Sequence, residues 1–105
     1  MDNCIRMQRL NFPRGLSQPT GGHRFSVDAL LLAAFAGLRA KDRRGLDLGT
    51  GCGVVGLALL LSHPDQNLHI TGLDSDQEML RHASINAERL GFQHRFEVQN
   101  ADILS

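Results

Sequence analysis

The chain of 105 residues predicts an α/β fold, a parallel sheet with flanking helices. Three observations carry this. Short apolar runs alternate with helix-length amphipathic segments, acidic residues close two of the runs, and a glycine cluster follows the first of these acids. Strand, helix, strand, helix, strand are expected at residues 46–48, 54–61, 68–73, 75–90 and 95–99. Alternation of this kind implies parallel strands joined by right-handed crossovers.

Each element has a local cause. The first strand is brief and ends at Asp47-Leu48, after which Gly49, Gly51, Gly53 and Gly56 remove side-chain bulk from the turn and from the start of the helix. Ser62-His63-Pro64-Asp65 breaks that helix, and Leu68 to Leu73 forms a second strand closed by Asp74. Ser75-Asp76-Gln77-Glu78 has the form of a capping box; Met79, Ala83, Ala87 and Leu90 fall on one helical face, and Gly91 suits the stop. Phe96 and Val98 alternate with Arg95, Glu97 and Gln99, as in a half-buried edge strand. Near the N-terminus, residues 9–12 and 16–18 around Pro13-Arg14-Gly15 suggest a hairpin or an extended lead-in.

The glycine cluster describes a nucleotide-type cofactor site: a strand, a bare loop, and a helix whose first amides face a ligand. Gly51, Gly53 and Gly56 match the dinucleotide spacing G-x-G-x-x-G literally, which keeps an NAD-dependent oxidoreductase as an alternative. Asp47 favours a different ligand. A carboxylate at the mouth of the loop repels a pyrophosphate but suits the amino and sulfonium cations of S-adenosyl-L-methionine. Asp74 stands roughly 20 residues beyond the loop, where a strand-end carboxylate can accept from both ribose hydroxyls. Either acid could instead serve structure alone, Asp47 by bracing the loop and Asp74 by belonging to the next helix's first turn.

From Asp47 to Gly53 the chain resembles the first motif of the class I S-adenosylmethionine-dependent methyltransferases, and the likeness extends over most of its length. The resemblance implies a partial Rossmann-like domain. It implies that Gly49, Thr50, Gly51 and Gly53 hold the methionine end, that Asp74 is the ribose acid, and that Asp102, in Ala101-Asp102-Ile103, meets the adenine. Upstream, residues 18–35 are similar to the segment preceding the core in bacterial enzymes that methylate adenine N6 in valine tRNA. Its Arg-Phe-x-x-Asp-x-x-Leu-Leu pattern is here Arg24, Phe25, Asp28, Leu31 and Leu32, and the resemblance places Arg24 and Asp28 beside the cofactor. Locally, Ser26 is a suitable N-cap, Asp28 sits in the first turn, and residues 27–38 supply apolar faces.

The expected organisation is an N-terminal extension and helix at residues 1–44, then a truncated cofactor-binding domain at 45–105. So short a chain buries about 60–65% of its unfolded surface. In the family the first strand is central, so its open edge should invite pairing or an oligomer. Family members acting on adenine N6 also carry an Asn or Asp, two prolines and an aromatic after a fourth strand. Pro13, Pro19 and Pro64 are the prolines here, none doubled, and no catalytic residue is assigned. Related branches methylating release-factor glutamine or ribosomal guanine N2 stay open, as does a non-catalytic binding fragment.

Charge points to a partner. Residues 1–44 carry eight cations against three acids, net +5, while the whole chain is neutral; arginine-rich surfaces suit RNA phosphates, tRNA among them, although a solvated basic surface would look the same. Cys4 and Cys52 are too few for a disulfide framework, and five histidines show no metal-ligand spacing. No signal peptide is evident and runs 29–36 and 54–61 are too short to span a bilayer, so a soluble, cytoplasmic protein without metal is expected.

Overall fold

The computed structural model describes residues 2–19, 44–63 and 67–102. Within them the chain forms α1 (Asn3–Asn11), β1 (Arg44–Leu48), α2 (Val54–Ser62), β2 (His69–Asp74), α3 (Gln77–Arg89) and β3 (Phe96–Asn100). The strands make one parallel sheet in the order β1-β2-β3, as the alternation of elements requires.

Register sorts the side chains into two faces. Gly45, Ile70 and Phe96 align across the sheet, as do Asp47, Gly72 and Val98, and these rows face the helices. Leu57 and Leu60 of α2, Ala83 and Ala87 of α3, and Leu68, Leu90 and Phe92 close over Ile70 and Phe96 to make the core. Such burial is the main favourable contribution to folding. Leu46 and Leu48 lie on the opposite face, 69% and 60% exposed. They belong to a strand with one described neighbour.

Helix α3 starts one residue later than a capping box on Ser75 would have it. Asp76 is the N-cap, its carboxylate accepting from the amides of Glu78 and Met79; aspartate is as good an N-cap as serine, and Asp74 already accepts from the Asp76 amide, which fixes the entry angle. The helix ends as predicted at Gly91, whose φ of +76° lets the Phe92 amide donate back to the Ala87 carbonyl at 2.8 Å. Its buried face holds Leu80, His82 and Asn86 besides the two alanines, so apolar periodicity identified only part of it.

The N-terminal hairpin is not formed; residues 3–11 are helical. Asp2 caps α1 by accepting from the amides of Cys4 and Ile5. The helix is then held by tertiary contact: Arg9 donates through Nε to the Leu90 carbonyl at 2.7 Å, and its guanidinium lies 4.3 Å from the centre of the Phe92 ring. Turn residues Pro13 and Gly15 mark only where the helix has ended. Residues 16–18 then run back to α3, a connection taken up below.

Candidate cofactor-binding site

The loop of residues 49–53 sits at the carboxyl ends of the strands, where open α/β sheets bind their ligands. Gly49, Gly51 and Gly53 have φ of +68°, +55° and +90°, a region closed to most side chains. The two acids predicted from sequence bracket this loop.

Asp47, at the end of β1, turns toward α2. Its Oδ2 accepts from Thr50 Oγ1 at 2.8 Å and from the Gly56 amide at 3.1 Å. Helix α2 begins at Gly53 with no side chain of its own as cap, so Asp47 supplies that function from the preceding strand. Oδ1 takes no hydrogen bond among the described residues. Burial pushes the Asp47 carboxyl above its ordinary value against the pull of the Thr50 and Gly56 bonds, and the facing charge of Asp74 adds to the rise.

Asp74 holds the loop from its other side. Oδ2 accepts from the Gly51 amide at 2.9 Å and Oδ1 from the Asp76 amide at 2.9 Å. The Thr50 amide donates to the Leu73 carbonyl and the Gly53 amide to the Thr50 carbonyl, which ties the loop to β2. The end of β3 joins them: the Ala101 amide and Asn100 Nδ2 both donate to the Asp74 carbonyl. Asp102, exposed, follows on the same side. Asp47, Gly49, Thr50, Gly51, Gly53 and Asp74 are thus brought together, with Asp102 at the neighbouring strand end. Arg24 and Asp28 lie outside the described residues.

Sequence reasoning missed two supports, Gly72 and Asn86, and named Gly56 without the contacts that require it. Gly72 is obligatory because a Cβ there would come within 2.7 Å of Thr50 Oγ1, and Thr50 is the buried pivot of the loop. Gly56 is obligatory because its Cβ would meet Phe96 and Asp47. Asn86, 1% exposed, donates to the Cys52 carbonyl at 2.9 Å. A signal existed for Asn86, since Glu78, His82 and Asn86 recur every fourth residue along one helix. Cys52 packs inside the loop, and burial raises its thiol pKa, which keeps it protonated and unreactive.

The residues fit a cationic nucleoside ligand. Among the described residues, a Cβ on Gly49 would meet nothing within 4 Å. The carboxylates of Asp47 and Asp74 bracket the loop, and no described lysine or arginine pairs with either. Such a pair attracts a cation and repels a pyrophosphate. A separate cavity of about 530 Å³, lined by Arg44, His69, His94 and Arg95, lies at the amino ends of the strands, away from the loop. Among the described residues no cluster of His, Cys, Asp and Glu could hold a metal ion, and no helix is long and apolar enough to cross a membrane.

Known proteins resemble the chain in sequence and in fold. The sequence family described as a methyltransferase domain matches residues 40–105. The chain is 37% identical over 79 residues to a tRNA1(Val) (adenine(37)-N6)-methyltransferase of Actinobacillus pleuropneumoniae serotype 5b (strain L20), a match covering 75% of this chain and 33% of that protein. It is 27% identical over 101 residues to ribosomal RNA small subunit methyltransferase G of Prochlorococcus marinus (strain AS9601), covering 91% and 42%. The crystal structure of the S-adenosylmethionine-dependent methyltransferase SibL superposes with a TM-score of 0.63 at 29% identity, over 75% of this chain and 22% of that one. The chain spans about a third of the length of the first of these relatives. With the loop, the parallel sheet and the matched sequence in agreement, the chain belongs to the class I S-adenosylmethionine-dependent methyltransferases, whose cofactor is S-adenosyl-L-methionine.

Proposed function

We propose that this chain is the cofactor-binding part of an RNA methyltransferase that acts on adenine N6 in tRNA. The observation that carries the cofactor assignment is the open glycine loop pinned between Asp47 and Asp74. The tRNA assignment draws support from the 37% identity to an enzyme named for tRNA adenine methylation, from the Arg24 to Leu32 pattern, and from the net charge of +5 on residues 1–44.

In this proposal the amides around Gly49, Thr50, Gly51 and Gly53, together with Asp47, hold the methionine end. Asp74 accepts from the ribose hydroxyls with the lone pairs left by its two amide bonds, each carboxylate oxygen having capacity for a second donor. Asp102 meets the adenine; Arg24 and Asp28 flank the ligand. S-adenosyl-L-methionine, when bound, supplies an activated methyl group. What these residues contribute is orientation, because the rate of methyl transfer depends on in-line placement of donor and acceptor. The basic residues 1–44 would guide RNA phosphates, in the cytoplasm, while residues 45–105 form the cofactor-binding unit.

The test is binding by the purified chain, calorimetric titration with S-adenosylhomocysteine and with release factor, and filter binding of tRNA lacking N6-methyladenine and of ribosomal RNA in parallel. Preferred binding of tRNA is the expected result. Preferred binding of ribosomal RNA or of the release factor would overturn the tRNA assignment while keeping the methyl donor. Binding of NAD without binding of S-adenosylhomocysteine would overturn both.

A further inference from the structure

Helix α3 carries a polar stripe, Glu78, His82 and Asn86, in which the last two are buried. Burying an amide is unfavourable unless its donors and acceptor are all satisfied. Asn86 meets that condition by joining two segments distant in sequence. Its Oδ1 accepts from the Ser17 amide at 2.6 Å, and its Nδ2 donates to the Ser17 carbonyl and to the Cys52 carbonyl, each at 2.9 Å. One N–H donor and two carbonyl acceptors surround the side chain, so its orientation is fixed by chemistry. One turn earlier, His82 bonds to Ser17 Oγ through Nδ1 and to Glu78 through Nε2. The segment 16–18 is therefore docked on α3 by the same amide that grips the middle of the glycine loop.

We propose that Asn86 is a positioning residue that couples the docked N-terminal segment to the glycine loop, so that seating of residues 16–18 contributes to affinity for the cofactor. This rests on the assignment of the loop as the S-adenosylmethionine site. The physical reason is that the loop holds three glycines at positive φ and needs external bonds to stay in one conformation. The Cys52 carbonyl bond is such a restraint, and it is only as rigid as Asn86. Without Ser17 the amide group loses two of its three partners and can rotate. Residues 16–18 then brace the cofactor-binding unit of residues 45–105 from outside it.

The experiment compares the chain with Ser17→Pro, Asn86→Ala and the double variant, by calorimetric titration with S-adenosylhomocysteine and by amide hydrogen exchange at Gly51, Gly53 and Leu60. Ser17→Pro removes the amide N–H that donates to Asn86 Oδ1 and the hydroxyl bonded to His82, and changes no residue of the loop. It is expected to weaken binding about tenfold, a change typical of a lost buried hydrogen bond. Asn86→Ala should weaken binding at least as much, and the double variant no further than Asn86→Ala, because both cut one path. In Ser17→Pro the amides of Gly51 and Gly53 should exchange faster while that of Leu60, in the core, is unchanged, which a general loss of stability would not produce. Wild-type affinity in Ser17→Pro overturns the coupling, and that variant decides the matter alone where Asn86→Ala does not fold. Should the unmodified chain fail to bind S-adenosylhomocysteine, the cofactor assignment fails separately. The exchange rates then judge the coupling, faster loop exchange in Ser17→Pro supporting it and unchanged exchange refuting it.

Discussion

Gly56→Ala is expected to lower the free energy of unfolding by about 1–3 kcal/mol, the range for overpacking a well-filled interior. In an exposed helix the same change would stabilise by roughly 0.5–1 kcal/mol, so the sign depends on the surroundings. A Cβ at Gly56 would stand 2.7 Å from Phe96 Cε2 and 3.1 Å from both Ile70 Cγ2 and Asp47 Oδ2. Phe96 and Ile70 are each 4% exposed, and neither can yield without disturbing the core. The methyl group would also push on the carboxylate that caps α2, so the loop should loosen with the core. Urea unfolding followed by circular dichroism reads the result; a midpoint equal to or above that of the parent chain would show that α2 and the sheet are not in the contact described.

Asp47→Asn is expected to do the opposite to stability while harming the ligand site. The carboxamide oxygen can still accept from Thr50 and Gly56, and the change removes both the burial cost of the charge and its repulsion from Asp74, the causes of the raised pKa. The sign follows from proton binding. With its folded pKa above its unfolded one, Asp47 holds more protons in the folded chain, so its contribution to stability is complete below the ordinary aspartate range and is lost as pH rises through the raised value. The stability difference between Asp47→Asn and the parent should therefore grow with pH across that window and level off above it, in denaturant titrations from about pH 3 to about pH 7. Glu78, whose pKa is lowered mainly by its bond from Arg81, has the opposite slope but is common to both proteins. A difference that does not change with pH would refute the burial and repulsion assigned to Asp47. On the proposed function the same substitution should weaken binding of the cationic ligand about tenfold, because a stabilising charge has been removed. A group that costs stability and improves binding is what a functional site is expected to contain.

The parallel α/β architecture was legible because it depends on patterns the sequence states directly: acid-terminated apolar runs, a glycine cluster, a helix with apolar spacing and a glycine stop. Asp47 and Asp74 could be named for the same reason, as strand-end acids on either side of residues without bulk. What they touch was not legible. That Asp47 spends Oδ2 on Thr50 and Gly56, and Asp74 spends one oxygen on Gly51, depends on the packing of α2 against the sheet. Helix α1 was missed because its stability comes from Arg9, Leu90 and Phe92, contacts with residues some eighty positions away. The capping shift from Ser75 to Asp76 reflects competition between two adequate caps, settled by the bond from the Asp76 amide to Asp74. Gly72 read as an ordinary strand glycine, since nothing local announces that Thr50 occupies the space a side chain would need.

The most direct measurement is a calorimetric titration of S-adenosylhomocysteine into the chain and into the paired variant Asp47→Asn with Asp74→Asn, each first shown by circular dichroism to be folded. Binding by the parent chain, weakened about a hundredfold or more in the pair, is the predicted outcome, equivalent to about 2.7 kcal/mol. Equal affinity in the two proteins would contradict the claim that these carboxylates and the bare loop between them form the cofactor site.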